Sequence, residues 1–148
     1  MSTTPNFASI LDETATEVRF PPPLPVGTYL CTVGQFEDTK KPSKAGNMGV
    51  VFPLKPIDAM QDVDAEALQE VGGCEGKNLN ITFWITPDSI GFLDEFHQNC
   101  GCDMSDGTSR RGRNQEVLNA QILAVVEHEI DNNTGRSWPR VRRTAKAD

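Results

Sequence analysis

Residues 78–85 read NLNITFWI and carry the clearest two-residue alternation in the chain. Apolar side chains occupy the odd positions from Leu79 to Ile85, and the even positions hold two asparagines, a threonine and Trp84. Successive side chains of a β-strand point to opposite faces of its sheet. The pattern therefore predicts a strand with one apolar face and one face that is polar except for a tryptophan.

Two further strands are predicted before this segment and two after it. Each shows alternating or β-branched apolar residues between turn-forming residues such as glycine, proline and asparagine. These four strands span residues 27–36, 50–55, 118–130 and 136–143.

An amphipathic helix is predicted within DSIGFLDEFHQNCG, residues 88–101. Its apolar residues recur three or four positions apart, which is the spacing of one helix face. Asp88 or Ser89 is suited to cap the start, and Gly101 is suited to end the helix. The following residues, 102–114, are predicted to form a polar loop.

The predicted order of three strands, a helix and two strands is that of the OB-fold, a five-stranded Greek-key barrel whose helix closes one end. An acidic insertion at residues 57–76 separates the second and third strands, with a short helix between Asp64 and Val71. The alternative is an open α+β sheet with the helix on one face, because the order of strands in space cannot be obtained from the sequence.

We therefore expect a mainly β protein with three segments. The OB-like barrel domain spans residues 24–143, after a weakly ordered N-terminal arm at 1–23 and before a C-terminal tail at 144–148.

Charge is segregated along this chain of 148 residues, whose formal net charge is −7. Residues 57–76 hold six acids and no base, whereas residues 136–143 hold four arginines and residues 40–49 hold three lysines. Physiological salt screens charges over about 8–10 Å, so local patches decide contacts more than net charge does. Net acidity therefore does not exclude an anionic partner.

The sequence also bounds where the protein works. No apolar run approaches the roughly 18–20 residues that cross a bilayer, and residues 1–17 lack a basic region followed by an apolar one. We expect a cytoplasmic protein with no membrane association. Its cysteines are expected to be free thiols, since four are too few and too unevenly placed for a disulfide framework.

Ligands of OB-folds commonly lie across the second and third strands, between the loop joining strands 1 and 2 and the loop joining strands 4 and 5. Both loops are basic here. Single-stranded nucleic acid needs cations along its phosphates and flat rings for its bases. The predicted nucleic-acid contacts are Lys40, Lys41, Lys44, Trp84, Arg136, Trp138, Arg140, Arg142 and Arg143.

Each of these residues also has a purely structural interpretation. A lysine-rich hairpin is often a solvated turn, and Glu127 and Glu129 look like part of a solvated face. The N-terminal arm or the insertion could cover Trp84, and Trp138 could cover a barrel end. Convergence on two loops and one sheet face favours a shared site.

Four segments occur in the order LPVGTYLCTV, KKPSKAGNMGVVFPLKP, EGKNL and LNAQILAVVEHE, with the predicted helix before the last. Over roughly residues 24–143 the chain resembles phage-encoded single-stranded DNA-binding proteins of OB-fold type, which accompany viral recombination and replication genes. The resemblance implies sequence-independent DNA binding through the Lys40 to Lys44 loop and the face of Trp84. It also implies the cytoplasm of a bacterial host, with phage replication or recombination proteins as partners.

Other functions have less support in the sequence. Cys74, His97, Cys100 and Cys102 are a weak candidate set for a structural zinc ion, because Cys-x-Cys is not the usual ligand spacing. We expect no metal, no cofactor and no enzymatic activity, since phosphate-loop, dinucleotide and HExxH motifs are missing. The alternative function is a non-catalytic interaction or virion-associated protein that uses the barrel as a scaffold. A homo-oligomer is compatible with exposed strand edges.

Overall fold

The computed structural model of the protein describes residues 11–12 and 23–147. Most of the expected N-terminal arm, residues 1–23, therefore lies outside the described residues. Residues 23–147 form a six-stranded antiparallel sheet with three short helices, which confirms a mainly β protein.

The strands are β1 (Gly27–Val33), β2 (Glu37–Asp38), β3 (Gly49–Ala59), β4 (Leu79–Trp84), β5 (Gln121–Ile130) and β6 (Ser137–Lys146). The helices are α1 (Ala65–Glu70), α2 (Ile90–Asn99) and α3 (Arg110–Glu116).

The sheet runs in the order β2-β3-β1-β5-β6, and β4 pairs with β3. This arrangement is consistent with an OB-like β fold. The first predicted strand, residues 27–36, ends early at Val33, which pairs with Leu54. The Gly34 N–H still donates to the Pro53 carbonyl at 2.8 Å, but Pro53 has no N–H to return a bond. The chain pairs with β3 again at Glu37–Asp38, as β2.

The core lies on the inward faces of the strands, where the alternation predicted it. Tyr29, Cys31 and Val33 are buried, as are the alternating apolar residues of β3 and β5. An aromatic cluster joins the sheet to α2: the Phe96 ring centroid lies 4.7 Å from that of Phe52 and 5.0 Å from that of Phe83. Burial of these large rings is the main stabilising contribution to the packing of α2.

Helix α2 confirms the helix predicted at residues 88–101. Ser89 occupies the N-cap position without a side-chain cap bond, and its backbone N–H donates instead to Thr86 Oγ1 at 3.1 Å. Gly101 follows the helix with a φ of +97°, a conformation that favours glycine. The buried face of α2 consists of Leu93, Phe96 and His97.

The polar loop predicted at residues 102–114 is wrong in its second half, because α3 begins at Arg110. Ser109 caps this helix, its Oγ accepting from the N–H of Gly112 at 3.1 Å. Two polar side chains of α3 are buried: Asn114 bonds to His97, and Arg113 donates to the carbonyl of Met104 at 3.1 Å. A polarity pattern cannot reveal a helix whose buried face consists of polar side chains.

The acidic insertion packs against the start of β1. Its first residues, 57–59, belong to β3. The Asp62 carboxylate accepts from the Thr28 N–H at 2.9 Å and from the Thr28 hydroxyl at 2.8 Å, and these bonds lower the pKa of Asp62. Asp64 caps α1 by accepting from two backbone N–H groups, which confirms the predicted short helix.

The C-terminal boundary also differs from the expectation. Strand β6 continues to Lys146, so residues 144–146 of the expected tail pair with β5. Among the described helices, none is long and apolar enough to span a membrane.

Candidate nucleic-acid interface

An open groove of about 370 Å³ lies between β4 and β6. No backbone ladder joins these two strands in the described part of the chain. They run in the same direction, because four successive antiparallel pairings link β4 to β6 through β3, β1 and β5. The groove is lined by Ile81, Thr82, Phe83, Trp84, Ser89, Phe92, Glu95, Arg140, Val141, Arg142, Arg143 and Thr144.

Trp84 lies at the end of β4, directly opposite Gly49 of β3. A Cβ atom at position 49 would lie 2.9 Å from Cε3 of the Trp84 ring, so the ring rests on a position that only glycine leaves open. Trp84 is half-buried and lines the groove. The sequence analysis considered the insertion as a possible cover for Trp84. The insertion packs instead on β1 through Asp62.

Phe92 is a second aromatic ring in the groove that the sequence analysis missed. It lies in the first turn of α2 and is 68% exposed, because the helix buries Leu93, Phe96 and His97 on its other side. Its signal in the sequence is a large apolar residue placed off the apolar face of an amphipathic helix.

Three arginines of β6 form the opposite wall. Val126 pairs with Val141 and Val125 pairs with Arg143, which leaves Arg142 as the extra residue of a β-bulge. Arg142 and Arg143 are consecutive, yet both are exposed and both line the groove. In a regular strand, two consecutive side chains would point to opposite faces. The bulge places both arginines on the groove side and so adds a cation to this wall.

Two of these arginines form ion pairs with β5. Arg142 lies 2.7 Å from a carboxylate oxygen of Glu127, and Arg140 lies 3.5 Å from one of Glu129. The hydrogen bond to Glu127 raises the pKa of Arg142. The two glutamates are exposed, as expected, but they are paired rather than merely solvated. Arg143 has no acidic partner among the described residues.

The lysine hairpin adjoins the groove without lining it. The hairpin closes where the Thr39 N–H donates to the Gly49 carbonyl at 2.9 Å, beside Trp84. Lys40, Lys41 and Lys44 are exposed and have no acidic partner within residues 23–147.

Arg136 and Trp138 flank the groove at its other end. Arg136 belongs to the turn before β6, where its N–H donates to Thr134 Oγ1 at 3.2 Å. Trp138 is 38% exposed and lies opposite Glu129, two residues from Arg140. Because β4 ends beside the lysine hairpin and the parallel β6 begins at this turn, the two basic loops lie at opposite ends of the groove.

The nine predicted contact residues thus fall into two groups. Trp84, Arg140, Arg142 and Arg143 line the groove, and the other five are outside its lining.

The cysteines and His97 do not assemble into a metal site. In residues 11–12 and 23–147, no group of three or more histidine, cysteine, aspartate or glutamate side chains could hold a metal ion. All four cysteines are free thiols. Burial raises the pKa of Cys31 to about 12, with a smaller contribution from Cys74, and burial also raises that of Cys100 to about 12, with Cys102 adding to it. Both thiols are therefore protonated near neutral pH.

Comparison with known proteins adds little to this geometry. No protein-family model and no curated protein matches the chain. Among solved structures, the chain is similar to "Yeast RPA bound to ssDNA" with a TM-score of 0.36 and 9% identity, over 100% of this chain and 90% of that one. A similarity of this size supports no functional argument, so the groove has to be interpreted from its own residues.

Proposed function

We propose that this protein binds single-stranded DNA without sequence preference in the groove between β4 and β6. One observation carries the proposal: Trp84 and Phe92 lie in the same open groove as Arg140, Arg142 and Arg143. Every base has a flat face that can stack on an aromatic ring, and every nucleotide has a phosphate that an arginine can bind. Neither contact depends on the base sequence.

The proposed binding requires no catalytic step. Stacking and charge attraction need no nucleophile, general base, metal or cofactor. The described lining of the groove contains Ser89 and Glu95 but neither histidine nor cysteine. We therefore propose a binding protein and not an enzyme.

In this proposal the chain is a five-stranded OB-like Greek-key barrel. Strands β1 and β2 together take the place of its first strand, since both pair with β3. The acidic insertion at residues 57–76 separates the second and third strands of the barrel. The proposed ligand face is the groove between its third and fifth strands, β4 and β6, and so differs from the face of the second and third strands that the sequence analysis favoured.

The biological setting is proposed on the sequence resemblance alone, over roughly residues 24–143. We propose that binding protects single strands during phage DNA replication or recombination in the host cytoplasm. Phage replication or recombination proteins are the proposed partners, and a homo-oligomer fits the same setting.

Titration with oligothymidine tests the proposal, with tryptophan fluorescence as the signal. We expect quenching on binding, because Trp84 lies in the groove. Three phosphate contacts predict a slope of about −2 in a plot of log affinity against log salt, at about −0.7 for each contact with a single strand. Affinity no better than micromolar at low salt, or affinity independent of salt, would exclude the proposal and favour the interaction-protein alternative.

Variants of the groove test its location. Trp84→Ala and Phe92→Ala should each weaken binding by about 1–3 kcal/mol, the usual contribution of one stacked base. Arg143→Ala should reduce the steepness of the salt slope by about 0.7, since one phosphate contact is lost.

Arg111→Ala is the matched control for Arg143→Ala. Both arginines are exposed and unpaired among the described residues, but Arg111 lies on α3 outside this groove. We expect Arg111→Ala to leave the salt slope unchanged. Equal effects of the two arginine variants, or normal binding by both aromatic variants, would place the site elsewhere.

A further inference from the structure

Two glutamates of β5 hold two of the three arginines that line the groove. Glu127 pairs in register with Arg140, and its carboxylate reaches diagonally to Arg142 at 2.7 Å. Glu129 reaches Arg140 at 3.5 Å. Negative charge therefore lies within contact distance of the cations that a phosphate would need.

These ion pairs contribute little to folding. Both arginine side chains are 66% exposed, and the side chains of Glu127 and Glu129 are 51% and 45% exposed. Pairs so accessible to water contribute little to stability. Their main electrostatic effect falls on an anion that enters the groove, because it approaches within one screening length of both carboxylates.

We propose that Glu127 and Glu129 compete with phosphate for the groove arginines and so hold the affinity for single-stranded DNA below what the groove could reach. This inference rests on the proposed function. A phosphate that binds Arg142 must displace the Glu127 carboxylate or share the guanidinium with it. In either case the carboxylate remains beside the bound phosphate and repels it.

The contacts differ in strength along the groove. Arg142 forms a short hydrogen bond to Glu127, whereas Arg140 and Glu129 are farther apart. Arg143 is opposite Val125 and has no acidic partner among the described residues. A DNA strand thus contacts one unpaired cation and replaces a carboxylate at the other two arginines. Its release is therefore easier than release from three unpaired arginines.

The same contacts would have the opposite effect if the glutamates positioned the arginines for phosphate. Removing a positioning carboxylate weakens binding, because the arginine side chain then loses more freedom when DNA binds. Removing a competing carboxylate tightens binding. The direction of the change therefore separates the two roles.

The test compares Glu127→Gln, Glu129→Gln and the double variant with the unmodified protein, by titration with oligothymidine at about 50 and 200 mM salt. Glutamine keeps the size of the side chain and one acceptor oxygen but removes the charge. We expect affinity at low salt to rise by about 3–10-fold for Glu127→Gln, less for Glu129→Gln, and most for the double variant. The salt slope of the double variant should also be steeper, because repulsion that salt had screened is gone.

Glu70→Gln is the matched control, since Glu70 is an exposed glutamate of α1 outside the groove. This variant loses one charge, as the others do, and its affinity should stay within about twofold of the unmodified protein. Combining Glu127→Gln with Arg142→Ala should remove most of the gain, because the carboxylate acts on the phosphate held by Arg142.

Three outcomes overturn the inference. Glu127→Gln binds no more tightly than the unmodified protein, or Glu70→Gln tightens binding as much, or the full gain persists in the Arg142→Ala background. In each case the unmodified protein still binds oligothymidine, and the proposed function survives. Absence of binding by both the unmodified protein and the double variant at low salt would overturn the proposed function as well.

Discussion

At the scale of single residues, Gly49 determines where the Trp84 ring lies. A Cβ at this position would lie 2.6 Å from the carbonyl oxygen of Phe83 and 2.9 Å from Trp84 Cε3. The Phe83 carbonyl belongs to a paired strand and cannot move far. A side chain at position 49 would therefore push β3 and β4 apart and displace the Trp84 ring.

Gly49→Ala should therefore reduce the free energy of unfolding by about 1–3 kcal/mol, the usual cost of overpacking. We expect a shift in tryptophan emission and weaker oligothymidine binding, measured beside urea unfolding. Gly91→Ala is the control: Gly91 lies in α2 with no atom within 4 Å of the added Cβ. Alanine in a helix is favoured over glycine by about 0.8–1.0 kcal/mol, so this variant should be slightly stabilised. Similar losses in both variants would contradict the close contact at Gly49.

Residues of the groove differed in how far the sequence revealed them. Trp84 is visible as the single apolar residue on the polar face of NLNITFWI, because strand alternation has a period of two. Phe92 was missed because helical spacing defines a face less precisely than strand alternation does. A residue one position from Leu93 can be assigned to either side of the helix. The pairing of Glu127 with Arg142 could not be predicted, since it depends on a bulge that shifts the register of β6.

At the scale of elements, α2 and α3 are joined by a buried polar contact. The His97 Nε2 atom lies 2.7 Å from Asn114 Oδ1, so the N–H is on Nε2 and donates to the amide oxygen. His97 is fully buried, and its Nδ1 has no hydrogen-bond partner among the described residues. A proton added at Nδ1 would therefore place an unpaired charge in the core.

Burial lowers the pKa of His97 below its ordinary value of 6.5, against the opposing influences of Asn114 and Asp94. Arg113 and Arg110 lower it further. The unfolded chain then binds this proton more readily than the folded chain does, so stability is intact above the ordinary value and declines as the pH falls toward the lower folded-state pKa.

We expect the urea midpoint of unfolding to decrease as the pH is lowered from about 7.5 to about 5. In His97→Gln this decrease should be smaller, because an amide does not titrate in that range. Asp94 titrates at lower pH, since its hydrogen bond with Arg110 lowers its pKa, and it should not affect this window. An unchanged pH dependence in His97→Gln would assign the effect to other groups.

The elements themselves show which physical signals the sequence contains. Strands and α2 were predictable because apolar side chains recur at a fixed period on the buried face. Helix α3 was not, because Arg113 and Asn114 are buried through hydrogen bonds to partners in α2 and the preceding loop. The end of β6 was placed too early, since the paired residues 144–146 are a threonine, an alanine and a lysine without an apolar pattern.

At the scale of the whole molecule, three arginines line one groove despite a formal net charge of −7. The lysine hairpin and the turn before β6 are far apart in sequence, and the parallel directions of β4 and β6 place them at opposite ends of one groove. The two basic loops and the OB-like order of strands and helix along the chain were predictable from the sequence. The sequence could not reveal the groove itself, because the groove lies between two strands that are distant in sequence and do not pair.

The missing ladder between β4 and β6 has a mechanical consequence. Strands joined by backbone hydrogen bonds keep a fixed spacing of about 4.8 Å, and changing it breaks those bonds. The two walls of this groove share no such bonds among the described strands, so a change in their spacing would break no ladder of the sheet. If the groove binds single-stranded DNA as proposed, an opening of adjustable width would suit purines and pyrimidines alike. Indifference to base sequence would then originate in the spacing of the two walls as much as in the chemistry of their side chains.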